Sequence, residues 1–308
     1  MHVAITEVGP RDGLQSESNF VPTAHKIDLV KALIHAGLRS FEVTSFVSPR
    51  AVPQMADAAD VIKGLRHHKD VEFTALVPNA QGAVRAANAG VDAMVLFLSA
   101  SESHNLKNLN CGRQDSLAGA AEVARIARAS GIRLYAAIST AFGCPFEGDV
   151  PVDAVRNIAS FLHQSGVTRL SLGDTSGMAT PVLVQQRCRV LRDSIPDLEI
   201  ALHFHNTRGL GLVCAYVGLR EGITRFESSI GGLGGCPFVP DATGNISTED
   251  LVYMLEESGI QTGIDISRLV EAAQLAQQTV GHGLPGQVMK AGPRLRRYDL
   301  AQAKTAKG

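Results

Sequence analysis

The sequence lacks an excess of charge of either sign: Lys and Arg total 29 against 30 Asp and Glu, for a net charge of −1 at pH 7. That balance gives no reason to expect nucleic acid or an anionic membrane surface as a partner. The chain also lacks any apolar run near the roughly 18 residues that a membrane-spanning helix needs. Charged residues occur as early as Glu7, Arg11 and Asp12, so we expect no secretory or transit peptide. We therefore expect no nucleic-acid and no membrane partner.

Cysteine is scarce, and its pattern is not that of a disulfide framework. The chain holds five cysteines, an odd number, and no Cys-x-x-Cys motif. This usage favours reduced thiols in a cytoplasmic protein. Cys188 and Cys214 fall in apolar helical patterns and are predicted to be buried core thiols.

What the chain does contain is a repeated alternation of strand-like and helix-like segments. Short β-branched, apolar runs are typical of buried strands, and they occur at 2–8, 40–46, 71–77, 92–98, 132–139, 169–174, 199–205 and 225–230. The stretches between them have helical apolar spacing, as at 24–37 and 117–131, and several end in a glycine, which is typical of a helix C-terminus. A further helix is predicted at 266–280, followed by a basic, loosely ordered tail.

Alternating strands and helices predict a parallel sheet with right-handed crossovers. With 308 residues, 45% of them hydrophobic, the α/β class and the (β/α)8 TIM barrel fit best, with an additional C-terminal helix and tail. An open doubly wound sheet is the alternative, weakened because no Gly-x-Gly-x-x-Gly follows the first strand. No domain-scale linker interrupts the chain, so residues 1–308 are predicted to form a single catalytic domain.

Polar side chains gather at the predicted strand ends, where barrels of this kind carry their chemistry. Asp12 follows strand 1, Asn245 follows strand 8, and His203 and His205 share one side of strand 7 because they are two residues apart. One carboxylate, two imidazoles and an amide at one rim predict a divalent-cation site, since inward charge at a barrel mouth needs compensation. Oxygen and imidazole ligands favour Mg²⁺ or Mn²⁺, with Zn²⁺ or Fe²⁺ as alternatives.

Two further carboxylates fall at the same rim. Glu42 alternates with Phe41 and Val43 in strand 2, so it is predicted to point into the barrel, either as an active-site acid or as an ion-pair partner of Arg11. Asp174 ends strand 6 in the segment Gly-Asp-Thr-Ser-Gly, which is also typical of a turn. Both are candidate catalytic residues.

The segment GGLGGCPF at 231–238 places a thiol among four glycines. A glycine hinge would let Cys236 close over the barrel mouth once substrate is bound and exclude water. Cys144 lies in a similar Gly-Cys-Pro-Phe segment after strand 5, and spacing alone does not choose between the two thiols.

Together these segments resemble the 3-hydroxy-3-methylglutaryl-CoA lyase family, metal-dependent barrel enzymes related to isopropylmalate and homocitrate synthases. The shared pattern comprises EVGPRDGLQ (7–15), TSFVSPRAVPQMAD (44–57), LGDTSGMATP (172–181), HFH (203–205), GGLGGCPF (231–238) and TGNISTEDLVYML (243–255). The resemblance implies a retro-Claisen lyase that cleaves 3-hydroxy-3-methylglutaryl-CoA to acetyl-CoA and acetoacetate, acting as a homodimer on an acyl-CoA substrate.

The resemblance also implies roles for individual residues. In the family, the residues matching Asp12, His203, His205 and Asn245 bind the metal. The residue matching Arg11 steadies the thioester oxygen, and the one matching Cys236 donates the proton, which selects Cys236 over Cys144. Glu42 and Asp174 match acidic active-site residues. We further expect His203 to act in catalysis, and Gln15 to contact the substrate together with Arg11.

Several positions depart from the family pattern. Asn206, Arg208 and Leu210 stand where the family usually has Asp, Tyr and Gln. His104 replaces an aromatic residue, and Asp241 replaces a common glycine. These changes leave metal ligation untouched but concern the acyl pocket, so citramalyl-CoA or a longer 3-hydroxyglutaryl-CoA is an alternative substrate.

Arg208 has two interpretations: it binds a substrate carboxylate or the CoA phosphates, or it is a solvated surface arginine. Two other functions are also open. An acetyl-CoA-dependent condensing synthase is disfavoured because such enzymes usually carry a long C-terminal extension, and 45 residues follow residue 263. A non-catalytic binding protein is disfavoured because no expected ligand or thiol is missing from the sequence.

Overall fold

The structure is a computed structural model that describes residues 1–235 and 243–297. Its described strands form one closed barrel in which neighbours follow the chain order. They are β1 (Ala4–Glu7), β2 (Ser40–Ser45), β3 (Glu72–Val77), β4 (Ala93–Ser99), β5 (Arg133–Ser139), β6 (Arg169–Asp174), β7 (Glu199–Phe204) and β8 (Arg225–Ser228). All neighbouring strands pair in parallel, and β8 closes onto β1 with Phe226 opposite Ile5. The TIM barrel is confirmed, and the open sheet is wrong.

Helices surround the barrel, and the described part of the chain has more of them than the alternation predicts. They are α1 (Thr23–His35), α2 (Ala58–Leu65), α3 (Ala80–Ala89), α4 (Glu102–Leu109), α5 (Arg113–Ala129), α6 (Val152–Gln164), α7 (Pro181–Ser194), α8 (Gly211–Arg220), α9 (Thr248–Glu257), α10 (Ile266–Val280) and α11 (Val288–Ala291). The predicted helix at 266–280 is α10. The sequence reading missed α4 as a separate helix; it begins at the N-cap Ser101 and ends at Asn110, which has a left-handed φ of 55°.

The strands present one face to the helices and the other to the barrel interior. In β7, Leu202 and Phe204 are fully buried, and Leu202 packs against Gly218 of α8. Side chains alternate along a strand, so His203 and His205 point the other way, into the barrel. This alternation brings polar side chains to the carboxyl ends of the strands.

The Ser247 side chain accepts from the backbone N–H of Asp250 at 3.2 Å, so Ser247 is the N-cap of α9. Cys188 and Cys214 are buried in α7 and α8, as their apolar patterns predict. No helix in the two described ranges has the length and apolar character needed to span a bilayer.

Candidate functional site

The site begins where β1 ends, in a single π-helical turn at Gly9–Gly13. The carbonyl of Val8 accepts from the backbone N–H groups of Arg11, Asp12 and Gly13 at 3.1, 2.7 and 3.4 Å. Single π-helical turns are rare and occur frequently at functional sites. This turn presents two consecutive charged side chains, Arg11 and Asp12, at the barrel mouth.

Asp12, His203 and His205 converge in the barrel mouth. One potential ligand atom from each residue lies within 4.8 Å of the others. The imidazole centroids of the two histidines are 5.3 Å apart. Burial raises the pKa of the Asp12 carboxyl, but the charges of Arg11 and the two imidazoles lower it overall, well below its usual range. Asp12 is therefore an anion that can ligate a cation.

His205 is buried, and its Nδ1 has no hydrogen-bond partner among the described residues. Burial, with the neighbouring His203, lowers the pKa of His205 to about 4. A neutral imidazole with an unpaired ring nitrogen is the form that binds a metal, and leaving a buried polar atom unpaired is costly. His205 is therefore suited to bind a metal ion.

Asn245 joins the same cluster from the segment after β8, where its backbone bridges to that of His205. Its Nδ2 donates to Asp12 Oδ2 at 2.7 Å and to the Leu233 carbonyl at 3.0 Å. These bonds occupy both amide hydrogens, while Oδ1 is buried without a partner in the described structure. A carbonyl-type oxygen held in this way is a ligand for a hard divalent cation.

The donor set therefore fits a divalent cation: one carboxylate, two imidazoles and an amide oxygen, with two of the donor residues carrying unpartnered buried atoms. Oxygen and nitrogen donors without a thiolate suit Mg²⁺ or Mn²⁺. The structure brings together all four residues that the sequence predicts as metal ligands: Asp12, His203, His205 and Asn245. Their metal-binding role stays a prediction.

Glu227 of β8 was missed by the sequence reading. Its Oε2 lies 3.0 Å from His203 Nδ1 and accepts from the Ser171 hydroxyl at 2.8 Å. Burial alone would lower the pKa of His203, but the Glu227 carboxylate raises it overall. With Nδ1 held, Nε2 of His203 is the nitrogen left for a metal. The sequence did contain a signal, since Glu227 is a carboxylate inside a strand, as Glu42 is.

Arg11 lies between acidic groups. Its Nε forms an ion pair with Glu42 Oε1, and its Nη1 pairs with Asp12. Burial, partly offset by Arg11, raises the pKa of Glu42. Gln15 Nε2 lies 3.4 Å from Asp12 Oδ1 and also lines the cavity described below. Of the two interpretations of Glu42, the ion pair with Arg11 is observed, and its catalytic role stays a prediction.

Asp174 holds a turn. Its Oδ1 accepts from the backbone N–H groups of Met178 and Ala179 at 2.7 and 2.9 Å. Burial raises its pKa to about 7 despite these bonds. Arg208 Nη1 donates to the carbonyls of Ser176 and Gly177, at 3.0 and 2.9 Å, so it ties the loop after β7 to the same turn. The structure therefore shows the turn interpretation of Asp174 directly, and its catalytic role stays a prediction.

The two candidate thiols differ in what can be said of them. Cys236, like Asp241, lies outside the described residues, so its predicted role as proton donor stays a prediction. Cys144 is fully buried, and its Sγ accepts from the Ser101 hydroxyl at 2.9 Å and from the Phe146 N–H at 3.4 Å. These contacts give Cys144 a packing role between two loops.

The glycine segment before Cys236 is held by two buried carboxylates. Glu7 Oε1 accepts from Ile230 N at 2.9 Å, and Glu249 Oε2 accepts from Gly231 N at 2.9 Å. Gly231 and Gly234 have φ of +66° and +107°, and a Cβ on Gly234 would lie 2.7 Å from Asn245 Nδ2. Glycine is needed here for left-handed backbone and close approach. In the described part of the segment, the glycines form a turn that packs against the site.

A cavity of about 1410 Å³ opens above the cluster. Arg11, Asp12, Glu42, His203, His205 and Glu227 line its deep part. Loops after β1, β2 and β4 form its walls. Buried His104 also lines it, with Nδ1 2.6 Å from the Ser99 hydroxyl. None of Asn206, Arg208 and Leu210 is among the described residues that line this cavity. His104 therefore lines the cavity, and its place in an acyl pocket stays a prediction.

Comparison with known proteins agrees with this geometry. The HMGL-like family model matches residues 2–276. The chain is 44% identical to the hydroxymethylglutaryl-CoA lyase of Bacillus subtilis, over 92% of this chain and 95% of that protein. It is 42% identical to the (R)-citramalyl-CoA lyase of Chloroflexus aurantiacus, over 94% of this chain and 95% of that protein.

Among solved structures, an HMG-CoA lyase from Acinetobacter baumannii in complex with coenzyme A and 3-methylmalate superposes with a TM-score of 0.92 at 41% identity. The superposition covers 97% of this chain and 98% of that one. The family-model match at residues 2–276 includes every described strand and every site residue discussed above. The chain belongs to the HMGL-like family.

Proposed function

We propose that this protein is a divalent-metal-dependent acyl-CoA lyase that cleaves 3-hydroxy-3-methylglutaryl-CoA to acetyl-CoA and acetoacetate. The observation that carries the proposal is the convergence of Asp12, His203 and His205 within 4.8 Å, beside Arg11, at the bottom of a large cavity. Relatives named hydroxymethylglutaryl-CoA lyase at 41–44% identity support the assignment.

Asp12, His203, His205 and Asn245 would hold Mg²⁺ or Mn²⁺. When bound, the cation would lower the pKa of the substrate's tertiary hydroxyl, as metals do for bound water. Arg11 is permanently cationic and is fixed by Glu42 and Asp12, so it would stabilise negative charge on the thioester oxygen without reorganising. Glu42, with its raised pKa and its place in the cavity, is suited to hold the proton that leaves the hydroxyl.

Cleavage breaks the carbon–carbon bond and leaves the electron pair on the departing acetyl-CoA as an enolate. The enolate carbon then takes a proton, which we assign to the thiol of Cys236. The fixed turn at 230–232, anchored by Glu7 and Glu249, would deliver the following residues to the cavity. His203 and Asp174 remain proposed participants, and Gln15 a proposed substrate contact.

Citramalyl-CoA is a second candidate substrate, because buried His104 lines the cavity at a position that departs from the family pattern, and one relative is named a citramalyl-CoA lyase. A cytoplasmic location and a homodimer complete the proposal. The odd cysteine count supports the location, and the family resemblance suggests the dimer.

The test is to strip the purified protein of metal, restore Mg²⁺ or Mn²⁺, and supply 3-hydroxy-3-methylglutaryl-CoA and citramalyl-CoA in parallel. Mass spectrometry should detect acetyl-CoA and acetoacetate from the first substrate, and only after metal is restored. Preference for citramalyl-CoA would favour the second candidate. Cleavage of neither substrate would refute the proposal.

The thiol assignment predicts unequal effects of two alanine variants. Cys236→Ala should bind metal and substrate nearly normally but lose about 10²–10⁴-fold in kcat, the usual contribution of general acid catalysis. Cys144→Ala should retain most of its kcat, since Cys144 is bonded to Ser101 and buried. Steady-state assays at saturating Mg²⁺ measure both. A larger loss for Cys144→Ala would reverse the assignment.

A further inference from the structure

An aromatic side chain stands on the outer wall of the cavity with no role in the chemistry described above. Phe20 lies between the turn at Gly9–Gly13 and α1, lines the cavity, and is 49% exposed. We propose that Phe20 is the stacking platform for the adenine ring of the acyl-CoA substrate. The inference rests on the proposed function only in that the ligand is a CoA thioester.

The position of Phe20 suits the far end of a long ligand. The cavity is lined both by the cluster at Asp12 and His205, where His205 is buried, and by Phe20, which is exposed to solvent. Its volume of about 1410 Å³ exceeds the roughly 300–1,000 Å³ of ordinary small-molecule sites. CoA thioesters carry their reacting carbon at one end and their adenine at the other. A thioester bound over Asp12 would therefore place its base toward the outer wall.

One face of the Phe20 ring is already covered and fixed. The Lys26 ammonium lies 4.5 Å from the ring centroid, and Lys26 is only 2% exposed. Lys26 Nζ donates to the Gln54 carbonyl at 2.5 Å and to Asp57 Oδ1 at 2.7 Å. The ammonium is thus held between α1 and the loop after β2, and it attracts the face of the ring above it.

Lys26 lies over one face of the ring, and the residue as a whole is 49% exposed, so the opposite face is the one available to a ligand. Lys26 holds the Phe20 ring in place before any ligand binds. Stacking on the ring would therefore cost little conformational entropy of the Phe20 side chain, which favours affinity. Purine bases stack on aromatic faces without needing hydrogen-bond partners. The adenine of CoA is a flat aromatic group, whereas its pantetheine arm is not. Adenine is therefore the part of the ligand that Phe20 would recognise.

The experiment compares two ligands that differ by the nucleotide. Titration calorimetry of free CoA and of pantetheine is carried out on the wild type, Phe20→Ala, Phe20→Leu and Phe20→Trp. Loss of base stacking typically weakens binding by about 5- to 150-fold. Phe20→Ala and Phe20→Leu should lose affinity of that order for CoA and none for pantetheine, while Phe20→Trp should retain wild-type affinity for CoA.

Phe146 supplies a matched control. It is also 49% exposed but is not among the described residues that line the cavity. Phe146→Ala should leave the ratio of CoA to pantetheine affinity unchanged. Equal weakening of both ligands in Phe20→Ala, or wild-type CoA affinity in Phe20→Leu, would overturn the inference. Since calorimetry needs no turnover, a protein that cleaves neither acyl-CoA but shows the expected contrast would refute the proposed function and not this inference.

Discussion

The two ends of the barrel use the same kinds of charged side chain in opposite ways. At the amino ends of the strands, acidic residues meet arginines. At the carboxyl ends, several acidic and polar groups are buried without a partner of opposite charge. The difference separates carboxylates that are neutralised by arginines from buried groups that have no cationic partner.

At the amino end, Glu72 is the centre of a closed network. Its carboxylate bonds to Arg169 at 2.9 Å, Arg133 at 2.8 Å and the Tyr135 hydroxyl at 2.8 Å. Burial would raise the pKa of Glu72, but Arg169 and these hydrogen bonds lower it overall. Glu199 likewise pairs with Arg169 and Arg225. No side-chain atom of these residues is buried without a partner in the described structure.

At the carboxyl end, two buried carboxylates have no cationic partner. Burial raises the pKa of Glu7 to about 7 and that of Glu249 to about 8, because backbone N–H groups and a threonine hydroxyl, not cations, are their partners. His205 Nδ1, Asn245 Oδ1 and Glu249 Oε1 are all buried and unpartnered among the described residues. Incomplete pairing of this kind marks a functional site better than charge itself does.

Breaking the amino-end network should have the largest effect on stability. Glu72→Ala removes the ion pairs with Arg133 and Arg169 and the Tyr135 hydrogen bond, and hydrogen bonds to a charged group are worth about 1.5–3 kcal/mol, so we expect a loss of at least that size. Urea unfolding measures the loss, and Mn²⁺ affinity should stay unchanged. Glu122→Ala, which removes a fully exposed ion pair with Arg125, is the control and should change stability little. A joint loss of metal binding in Glu72→Ala would mean that the two ends are not independent.

At the carboxyl end, ionisation of buried Glu249 should lower the free energy of unfolding as pH rises. Because the folded pKa of Glu249 is raised, its stabilisation is present below its unfolded pKa near 4.5 and is lost as pH rises through about 8. Glu249→Gln can still accept from Gly231 N but cannot ionise. Its stability relative to wild type should increase by about 1–3 kcal/mol between pH 5 and pH 8. The difference is measured by recording Tm against pH for wild type and Glu249→Gln side by side. A constant separation between the two curves from pH 5 to pH 8 would contradict the raised pKa.

Weakening the hydrogen bond that orients His203 should have a smaller effect, confined to metal affinity. Glu227→Gln weakens the hold on His203 Nδ1 without changing side-chain length. Such changes typically reduce metal affinity by about 10–100-fold. Ser171→Ala, which removes the other bond to the same carboxylate oxygen, should reduce it less. Calorimetry with Mn²⁺ measures both, and Tm should stay near wild type. Equal affinity in Glu227→Gln and wild type would exclude a positioning role.

The periodic features of the chain could be predicted from sequence, because buried strands and amphipathic helices repeat a pattern. The barrel and α10 were predicted in this way, and so was the meeting of His203, His205 and Asp12 at one rim. Parallel strands share a carboxyl edge, which converts distant sequence positions into neighbours.

Features that depend on individual side-chain partners could not be predicted. Glu227 and Glu42 look alike in sequence, yet Glu227 bonds to His203 and Glu42 pairs with Arg11. The glycines at 231–234 predict a hinge, but the carboxylates that bond to the start of this segment, Glu7 to Ile230 N and Glu249 to Gly231 N, could not be predicted. Only the three-dimensional partners distinguish these cases.

The central claim is that Asp12, His203, His205 and Asn245 at the carboxyl end form one divalent-cation site. Calorimetric titration of Mn²⁺ into metal-stripped wild type and His205→Ala tests it most directly. We expect one tight site in wild type and an affinity lower by at least about 10–100-fold in His205→Ala, since a ligand is lost and not merely a supporting group. Unchanged Mn²⁺ affinity in His205→Ala would contradict it.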